Sequence, residues 1–279
     1  MFACLAEGIR IYMNRIDEKF VELKKKGRKA FIAFITAGYP NLAATGRFVL
    51  ELEKKGVDII ELGVPFSDPL ADGPVIQEAS MYSLKKKTNL IKILDLVKSL
   101  RKDTDLPICL MSYYNPIFRL GDKRFVDKAV ASGVDGVIIP DLPPEEARQL
   151  IFYANKKGLA NICFLAPTSS DSRIKSIARI ARGFIYYVSL TGVTGSRMSL
   201  AADLKSNLAK IKKAARIPVC AGFGISDANQ LRQVQEICDG GIVGSAIVNK
   251  IRENITRGDL IIRVGNFVES LHVQKNQIS

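Results

Sequence analysis

The sequence contains a single histidine, His272, and no tryptophan among its 279 residues. A Ser-His-Asp triad, a Cys-His pair and a histidine-rich metal site all need histidine in the active site, and His272 lies close to the C-terminus. These three kinds of site are therefore excluded, and we expect no bound metal ion. Any general acid–base chemistry must come from carboxylates, lysines or tyrosines.

Paired cysteines and long apolar runs are also missing. Five cysteines are widely spaced, odd in number and without a Cys-X-X-Cys pair, so we interpret them as reduced, mostly apolar side chains of a cytosolic protein. No apolar run approaches the roughly 18 residues of a membrane helix. The first twelve residues lack the basic start and apolar stretch of a secretory signal. The sequence therefore predicts a cytoplasmic protein that has no contact with a membrane.

Acidic residues are in the minority. The sequence has 28 of them and 41 lysines and arginines, which gives a formal net charge of +13. The lysines cluster at residues 24–26, 85–87 and 212–213, where their neighbours fit solvated helix faces. Nucleic acid is the alternative partner for such charge. No nucleic-acid motif or interleaved aromatic residue accompanies the clusters, so we expect an anionic small substrate and no nucleic-acid partner.

Eight short apolar segments rich in β-branched or aromatic residues recur along the chain. They are residues 30–36, 57–63, 107–113, 136–141, 161–166, 184–190, 217–222 and 241–244. Segments with helical periodicity lie between them, for example Leu90, Ile93, Leu94, Val97 and Leu100. Apolar strands that alternate with amphipathic helices indicate a parallel sheet covered by helices.

Eight such units in one chain predict a single-domain (β/α)₈ (TIM) barrel of class α/β over residues 13–260. Residues 1–12 would be an N-terminal extension, since Met13 offers a second start, and residues 261–279 a C-terminal helix or tail. A doubly wound open sheet is the alternative. However, the first strand runs into TAGYP at residues 36–40, which does not match the glycine fingerprint typical of that fold.

Glu61 is the first candidate for catalysis. In a barrel, function collects at the C-terminal ends of the strands, and Glu61 shares a face with Ile59 near the end of the second strand. No predicted strand supplies a lysine or arginine to pair with it, so burial should raise its pKa toward working pH. Asp72, in the more open part of the following proline-rich loop, should stay ionised, which would divide acid and base roles between the two carboxylates.

Later strands supply the rest of the predicted site. Alternation places one of Tyr186 and Tyr187 inside the barrel, and for Tyr187 we favour core packing. Residues 192–195, GVTG, resemble a mobile lid. Glycine-rich turns after strands seven and eight, where this fold commonly binds phosphate, predict a phosphate site. No strand end carries the lysine of a Schiff-base aldolase, so isomerisation and carbon–carbon cleavage of a phosphorylated substrate both remain open.

Several of these segments resemble one family. Residues 61–74, ELGVPFSDPLADGP, are similar to the signature of tryptophan synthase alpha chains. The segments at residues 36–40, 113–116, 140–143, 192–195, 222–226 and 244–246 match that family in the same order. The resemblance covers about residues 14–255. It implies retro-aldol cleavage of indole-3-glycerol phosphate to indole and glyceraldehyde 3-phosphate.

The resemblance also implies roles for individual residues. Glu61 would be the general acid–base, Asp72 would accept the indole N–H, and Tyr186 would lie at the reacting end of the substrate. Phe34, Met111 and Ile138 would line the indole pocket. The phosphate would bind at Gly195, Gly224, Gly244 and Ser245, and Thr194 would reach Asp72 when the lid closes. Leu190 departs from the arginine of some members, which puts one polar anchor of the closed lid in doubt.

The family association implies a protein partner. A beta chain carrying pyridoxal phosphate would join indole to serine in an α2β2 heterotetramer, so this chain itself would need no cofactor. Two alternatives stay open: a free-standing lyase that releases indole, and a subunit that has lost lyase activity and only activates its partner.

Overall fold

A computed structural model describes residues 13–188, 197–222 and 224–272, without the side chains of residues 197–204. The predicted extension at residues 1–12 lies outside the described residues. Eight parallel strands pair in sequence order, and the last pairs with the first through Ala30 and Gly240, which closes the barrel. The predicted (β/α)₈ barrel is therefore confirmed, and the alternative of an open doubly wound sheet is wrong.

The strands lie within one or a few residues of the predicted segments. They are β1 (Ala30–Thr36), β2 (Ile59–Gly63), β3 (Ile108–Met111), β4 (Gly136–Ile138), β5 (Ala160–Leu165), β6 (Ile185–Val188), β7 (Val219–Gly222) and β8 (Gly240–Val243). Most are shorter than predicted. Proline gives one reason, because Pro107 and Pro218 have no amide hydrogen for the ladder and β3 and β7 each begin one residue later.

Twelve helices are present in the described residues. They are α1 (Arg15–Lys25), α2 (Leu42–Lys54), α3 (Pro74–Lys85), α4 (Leu90–Leu100), α5 (Tyr114–Leu120), α6 (Asp122–Ser132), α7 (Arg148–Lys157), α8 (Asp171–Ile180), α9 (Arg197–Ala214), α10 (Ala228–Ile237), α11 (Ser245–Glu253) and α12 (Leu260–His272). The five apolar residues predicted to form one stripe are all buried on α4. Helix α12 packs against α2, α10 and α11 on the outside of the barrel.

Alternation along the strands creates two separate apolar cores. Outward-facing residues such as Phe31 and Ile60 pack under the helices. Inward-facing residues such as Ile32, Ile59 and Ile138 form a second cluster inside the barrel. This division decides which side chains can reach the mouth of the barrel, where the C-terminal ends of the strands meet.

The opposite end of the barrel is closed by α1. Ile16, Phe20 and Leu23 on one face of α1 are buried and belong to the inner cluster. Arg15 at the start of α1 forms an ion pair with the buried Asp135 at 3.1 Å, and Asp135 also binds Arg101 at 2.6 Å. Local sequence patterns do not predict that this helix fills the base of the barrel.

The remaining composition-based expectations concern the surface and the cysteines. All three lysine clusters are exposed, at the C-terminal ends of α1, α3 and α9, as predicted for solvated helix faces. Cys109, Cys163, Cys220 and Cys238 are free and buried, which confirms for these four the interpretation as apolar core residues. In the described part of the chain, every helix is too short or too polar to cross a lipid bilayer.

Candidate active site

The mouth of the barrel brings together side chains from the ends of consecutive strands. Phe34 on β1 pairs in register with Glu61 on β2, and Gly63 on β2 pairs with Met111 on β3. Met111 in turn pairs with Ile138 on β4. Phe34 and Glu61 thus lie side by side on the inner face, and Met111 and Ile138 lie side by side one level nearer the mouth.

Glu61 is completely buried, with 0% of its surface exposed. Neither carboxyl oxygen has a hydrogen-bond partner among the described residues. Burial therefore raises the pKa of Glu61 to about 8, because the charged form loses its hydration without compensation. At neutral pH the carboxyl holds its proton and can donate it.

Asp72 lies on the loop between β2 and α3 and is half-buried. Burial raises its pKa to about 6, and hydrogen bonding to Tyr113 acts in the opposite direction. Asp72 is thus mostly ionised at neutral pH while Glu61 is mostly protonated, which is the order that the sequence predicts. Two carboxyl groups at one barrel mouth therefore differ in protonation state.

Tyr113 supports this loop and was not predicted as a functional residue. It follows β3, is 5% exposed, and its ring stacks on Phe66 with centroids 5.1 Å apart. The amide of Ala71 donates a hydrogen bond to the Tyr113 hydroxyl at 2.9 Å. Tyr113 therefore contacts the loop between β2 and α3 at two places, at Phe66 and at Ala71, the residue before Asp72. The contact joins positions 42 residues apart, so local sequence patterns carry no signal for it.

Tyr186 lies on the inner face of β6 and Tyr187 on the outer face, where it is buried in the outer core as predicted. The Tyr186 ring packs against Phe164 with centroids 4.9 Å apart. Burial raises the pKa of Tyr186 well above its ordinary value, and the nearby Glu61 raises it further. Tyr186 is therefore a neutral hydroxyl group close to Glu61.

Two glycines make room for these side chains. A Cβ atom at Gly63 would lie 2.5 Å from Cζ of Phe34, and one at Gly222 would lie 2.9 Å from the hydroxyl oxygen of Tyr186. A side chain at either position would displace a predicted site residue. The sequence does not predict that these two positions must lack a side chain.

The turns after β7 and β8, where the sequence predicts phosphate, contain a left-handed glycine and a helix N-terminus. Gly224 adopts a φ of +73°, a conformation that favours glycine, and a Cβ there would meet nothing within 4 Å. Gly244 is the N-cap of α11, and Ser245 is its first residue. The first amides of a helix have no intrahelical acceptor, so they point outward and attract an anion.

Part of the predicted site falls where the structure gives no description. Thr194, Gly195 and Leu190, together with the predicted lid at residues 192–195, lie outside the described residues. The site that can be built from the described residues therefore consists of the inner face of β1–β4 and β6, the loop that carries Asp72, and the turns after β7 and β8.

Comparison with known proteins gives a consistent result. The family model described as "Tryptophan synthase alpha chain" matches residues 20–272. Relatives with that name are 50% identical in Geotalea daltonii and 51% in Geobacter sulfurreducens, and both alignments cover 93% of this chain and 98% of the relative.

Comparison with solved structures points to the same family. Tryptophan synthase subunit alpha from Legionella pneumophila superposes with a TM-score of 0.87 at 38% identity, covering 93% of this chain and 97% of that one. A tryptophan synthase chain from M. tuberculosis gives a TM-score of 0.83 at 30% identity, with the same coverage. The chain therefore belongs to the tryptophan synthase alpha chain family, the lyases that cleave indole-3-glycerol phosphate to indole and glyceraldehyde 3-phosphate.

Proposed function

We propose that Glu61 is the proton-transfer group of this lyase reaction. The observation that carries the proposal is that Glu61 is fully buried near the end of β2, and that neither carboxyl oxygen has a partner among residues 13–188, 197–222 and 224–272. A buried polar group without a partner is costly in a folded protein. A reacting substrate can supply the missing partner, which gives the cost a functional reason.

One carboxyl group can carry out both proton transfers that the cleavage requires. As the bond between the indole ring and the glycerol carbon breaks, the ring carbon takes the proton of the Glu61 carboxyl. The hydroxyl on that glycerol carbon loses its proton and becomes the aldehyde carbonyl. The Glu61 carboxylate receives the hydroxyl proton, so the group is restored at the end of the turnover.

Asp72 and Tyr186 act on the same substrate. Ionised Asp72 accepts the indole N–H and stabilises the positive charge that grows on the ring as it is protonated. Tyr186 lies at the reacting end of the substrate as a neutral hydroxyl. Phe34, Met111 and Ile138 line the apolar pocket for the indole ring. This division follows the burial and protonation of the two carboxyl groups.

The phosphate binds at the turns after β7 and β8. Gly224, Gly244 and Ser245 offer backbone amides there, including those of the first turn of α11. Gly195 adds to this site, and Thr194 contacts Asp72 when the lid closes over the substrate. No cofactor takes part in this chain, because the reaction requires proton transfers alone.

The decisive experiment replaces Glu61 by glutamine. Glu61→Gln should lower kcat on the order of a thousandfold or more, while calorimetric titration with indole-3-glycerol phosphate still detects binding. Glu22→Gln is the matched control, because Glu22 is on the exposed face of α1 and pairs only with lysines in the described residues. Near-normal turnover by Glu61→Gln would refute the proposed role.

We propose further that this chain works in an α2β2 complex with a beta chain that carries pyridoxal phosphate. Two large apolar side chains at the barrel mouth support a protein partner: Leu70 is 85% exposed and Phe118 is 66% exposed. Both belong to one connected edge. The neighbour of Leu70, Ala71, binds Tyr113, and Phe118 packs against Tyr114 with ring centroids 5.8 Å apart.

The partner proposal is tested by Leu70→Asp and Phe118→Asp. Both variants should keep their own lyase activity and lose binding to a beta chain, measured by analytical ultracentrifugation. Ile262→Asp on α12, also exposed, should bind normally. A chain that makes indole equally well with and without the beta chain would indicate a free-standing lyase. A chain without activity of its own that still stimulates the beta chain would indicate an activator.

The same proposal includes a cytoplasmic location, where a reduced environment keeps the buried cysteines as thiols. It gives nucleic acid no role, since the exposed lysine clusters are scattered over the ends of three helices. Salt-sensitive DNA binding in a gel-shift assay, without affinity for a beta chain, would contradict it.

A further inference from the structure

Thr36, the last residue of β1, has an unusual environment. It is 1% exposed, and its hydroxyl oxygen has no hydrogen-bond partner in the part of the chain that the structure describes. Among the described residues only four buried side-chain oxygen or nitrogen atoms lack a partner, and three of them are the Thr36 hydroxyl and the two carboxyl oxygens of Glu61. Unsatisfied polar groups of this kind are rare in folded proteins and call for an explanation.

Strand alternation places both residues on the same surface. Ala30 and Ile32 face the interior of the barrel, so Thr36 faces it as well. On β2, Ile59 faces the interior, and Glu61 follows it by two residues. Because Phe34 pairs with Glu61, Thr36 stands diagonally above Glu61 on the neighbouring strand.

The residues level with Thr36 cannot satisfy its hydroxyl. Gly63, its partner in register, has no side chain, and next to Gly63 on the same level lie Met111 and Ile138. The residue below it on β1, Phe34, is also apolar. Among the described residues, Glu61 is the nearest polar side chain on the inner face of the adjoining strand β2. With strands about 4.8 Å apart and a rise of about 3.3 Å per residue, Cα atoms at diagonal positions two residues on lie about 8 Å apart, a gap that a glutamate side chain can span.

We propose that Thr36 is a positioning residue for the lyase reaction, and that its hydroxyl binds the carboxyl group of Glu61 when substrate fills the mouth of the barrel. A rotation of the Glu61 side chain about its own bonds makes the contact. This inference rests on the proposed role of Glu61 in proton transfer.

A hydroxyl group suits this task because it can both donate and accept a hydrogen bond. It donates to the carboxyl oxygen that does not carry the transferred proton, both before and after Glu61 has protonated the ring, so the proton-bearing oxygen stays free to reach the ring carbon. The contact can therefore persist through the reaction and hold Glu61 toward the ring carbon. A threonine hydroxyl without any such partner would only destabilise the fold.

The test uses two variants of Thr36. Thr36→Val keeps the shape and removes the hydroxyl, so kcat should fall by about tenfold to a hundredfold with little change in KM. Thr36→Ser retains the hydroxyl and should keep most of the activity. Thr104→Val is the control, because Thr104 is a buried threonine whose hydroxyl accepts from the Leu106 amide near the base of the barrel. It should leave kcat unchanged.

A second measurement separates this inference from the proposed role of Glu61. In the Glu61→Gln background, Thr36→Val should cause no further loss, since the hydroxyl acts through the carboxyl group. If Glu61→Gln is inactive and Thr36→Val turns over normally, the inference about Thr36 is wrong and the role of Glu61 stands. If Glu61→Gln is active, both the proposed role of Glu61 and the inference about Thr36 are wrong. Weaker substrate binding by the double variant than by Glu61→Gln would mean that Thr36 contacts the substrate itself, which also overturns the inference.

Discussion

The Tyr113 hydroxyl accepts a hydrogen bond from the Ala71 amide at 2.9 Å, and it interacts with the carboxyl group of the next residue, Asp72. One side chain from the end of β3 thus holds the backbone of the β2 loop and tunes its acidic residue. The position and the charge of Asp72 depend on the same phenol group.

Removing that phenol oxygen should affect both properties. In Tyr113→Phe, we expect kcat/KM to fall by roughly tenfold or more, because a hydrogen bond to a charged group is lost. The pKa of Asp72 should rise above about 6, since the interaction that lowers it disappears. Tyr114→Phe is the control: its hydroxyl donates to Asp122 at 3.0 Å, outside the site. An unchanged acid limb of the pH profile would contradict this expectation.

The pH profile of kcat/KM should be bell-shaped. Activity needs Asp72 ionised and Glu61 protonated, and their pKa values are about 6 and about 8. The rate should therefore decline below about pH 6 and above about pH 8. Asp72→Asn should be slower and should lose the acid limb. If that variant changed only KM, Asp72 would be a binding contact without a role in charge stabilisation.

Folding stability should also depend on Glu61. Its pKa is raised from 4.5 to about 8 in the folded chain, so the native state keeps a proton that the unfolded state releases. The free energy of unfolding should consequently fall as pH rises between these values, by about 1.4 kcal/mol per pH unit from this group. Urea titrations at pH 5 and pH 8 measure the change. Glu61→Gln should show a smaller decline, and an identical decline would contradict the assignment.

Gly63 should be intolerant of a methyl group. In Gly63→Ala the new Cβ would overlap the Phe34 ring, so we expect a higher KM and a loss of about 1–3 kcal/mol of stability. Gly258→Ala is a suitable control, because nothing lies within 4 Å of its Cβ position. Thermal denaturation and steady-state kinetics of both variants provide the comparison. Wild-type kinetics in Gly63→Ala would mean that the Phe34 ring does not define the indole pocket.

The base of the barrel should contribute to stability and leave catalysis unaffected. Asp135 is buried, binds Arg15 and Arg101, and accepts the amide of Ile108 at 2.8 Å. Asp135→Asn should cost about 3 kcal/mol, because two arginines lose their counter-charge. Asp105→Asn should cost less than about 1 kcal/mol, since the Asp105 side chain is 93% exposed. Equal unfolding midpoints for the two variants would argue against this difference.

The sequence predicted the parts of this molecule that depend on periodicity. Apolar runs located all eight strands, and alternation put Glu61 on the same face as Ile59 and put Tyr186 and Tyr187 on opposite faces. The unpaired state of Glu61 also followed, because no strand offered it a cation. These properties are local, so a single segment contains the information that determines them.

The features that the sequence did not predict depend on contacts between distant segments. Ile16 and Phe20 of α1 fill the base of the barrel, and no local pattern indicates this contact with distant strands. The bond between Ala71 and Tyr113 depends on two loops that meet only in the closed barrel. Likewise, whether the Thr36 hydroxyl finds a partner is decided by the strands around it.

The closure of the barrel base by α1 has a consequence for molecular traffic. Ile16, Phe20 and Leu23 fill that end of the barrel. Among the described residues, the mouth whose rim bears Leu70 and Phe118 is therefore the route that we expect substrate and products to take. Any protein that docks on this rim therefore controls the route by which indole leaves.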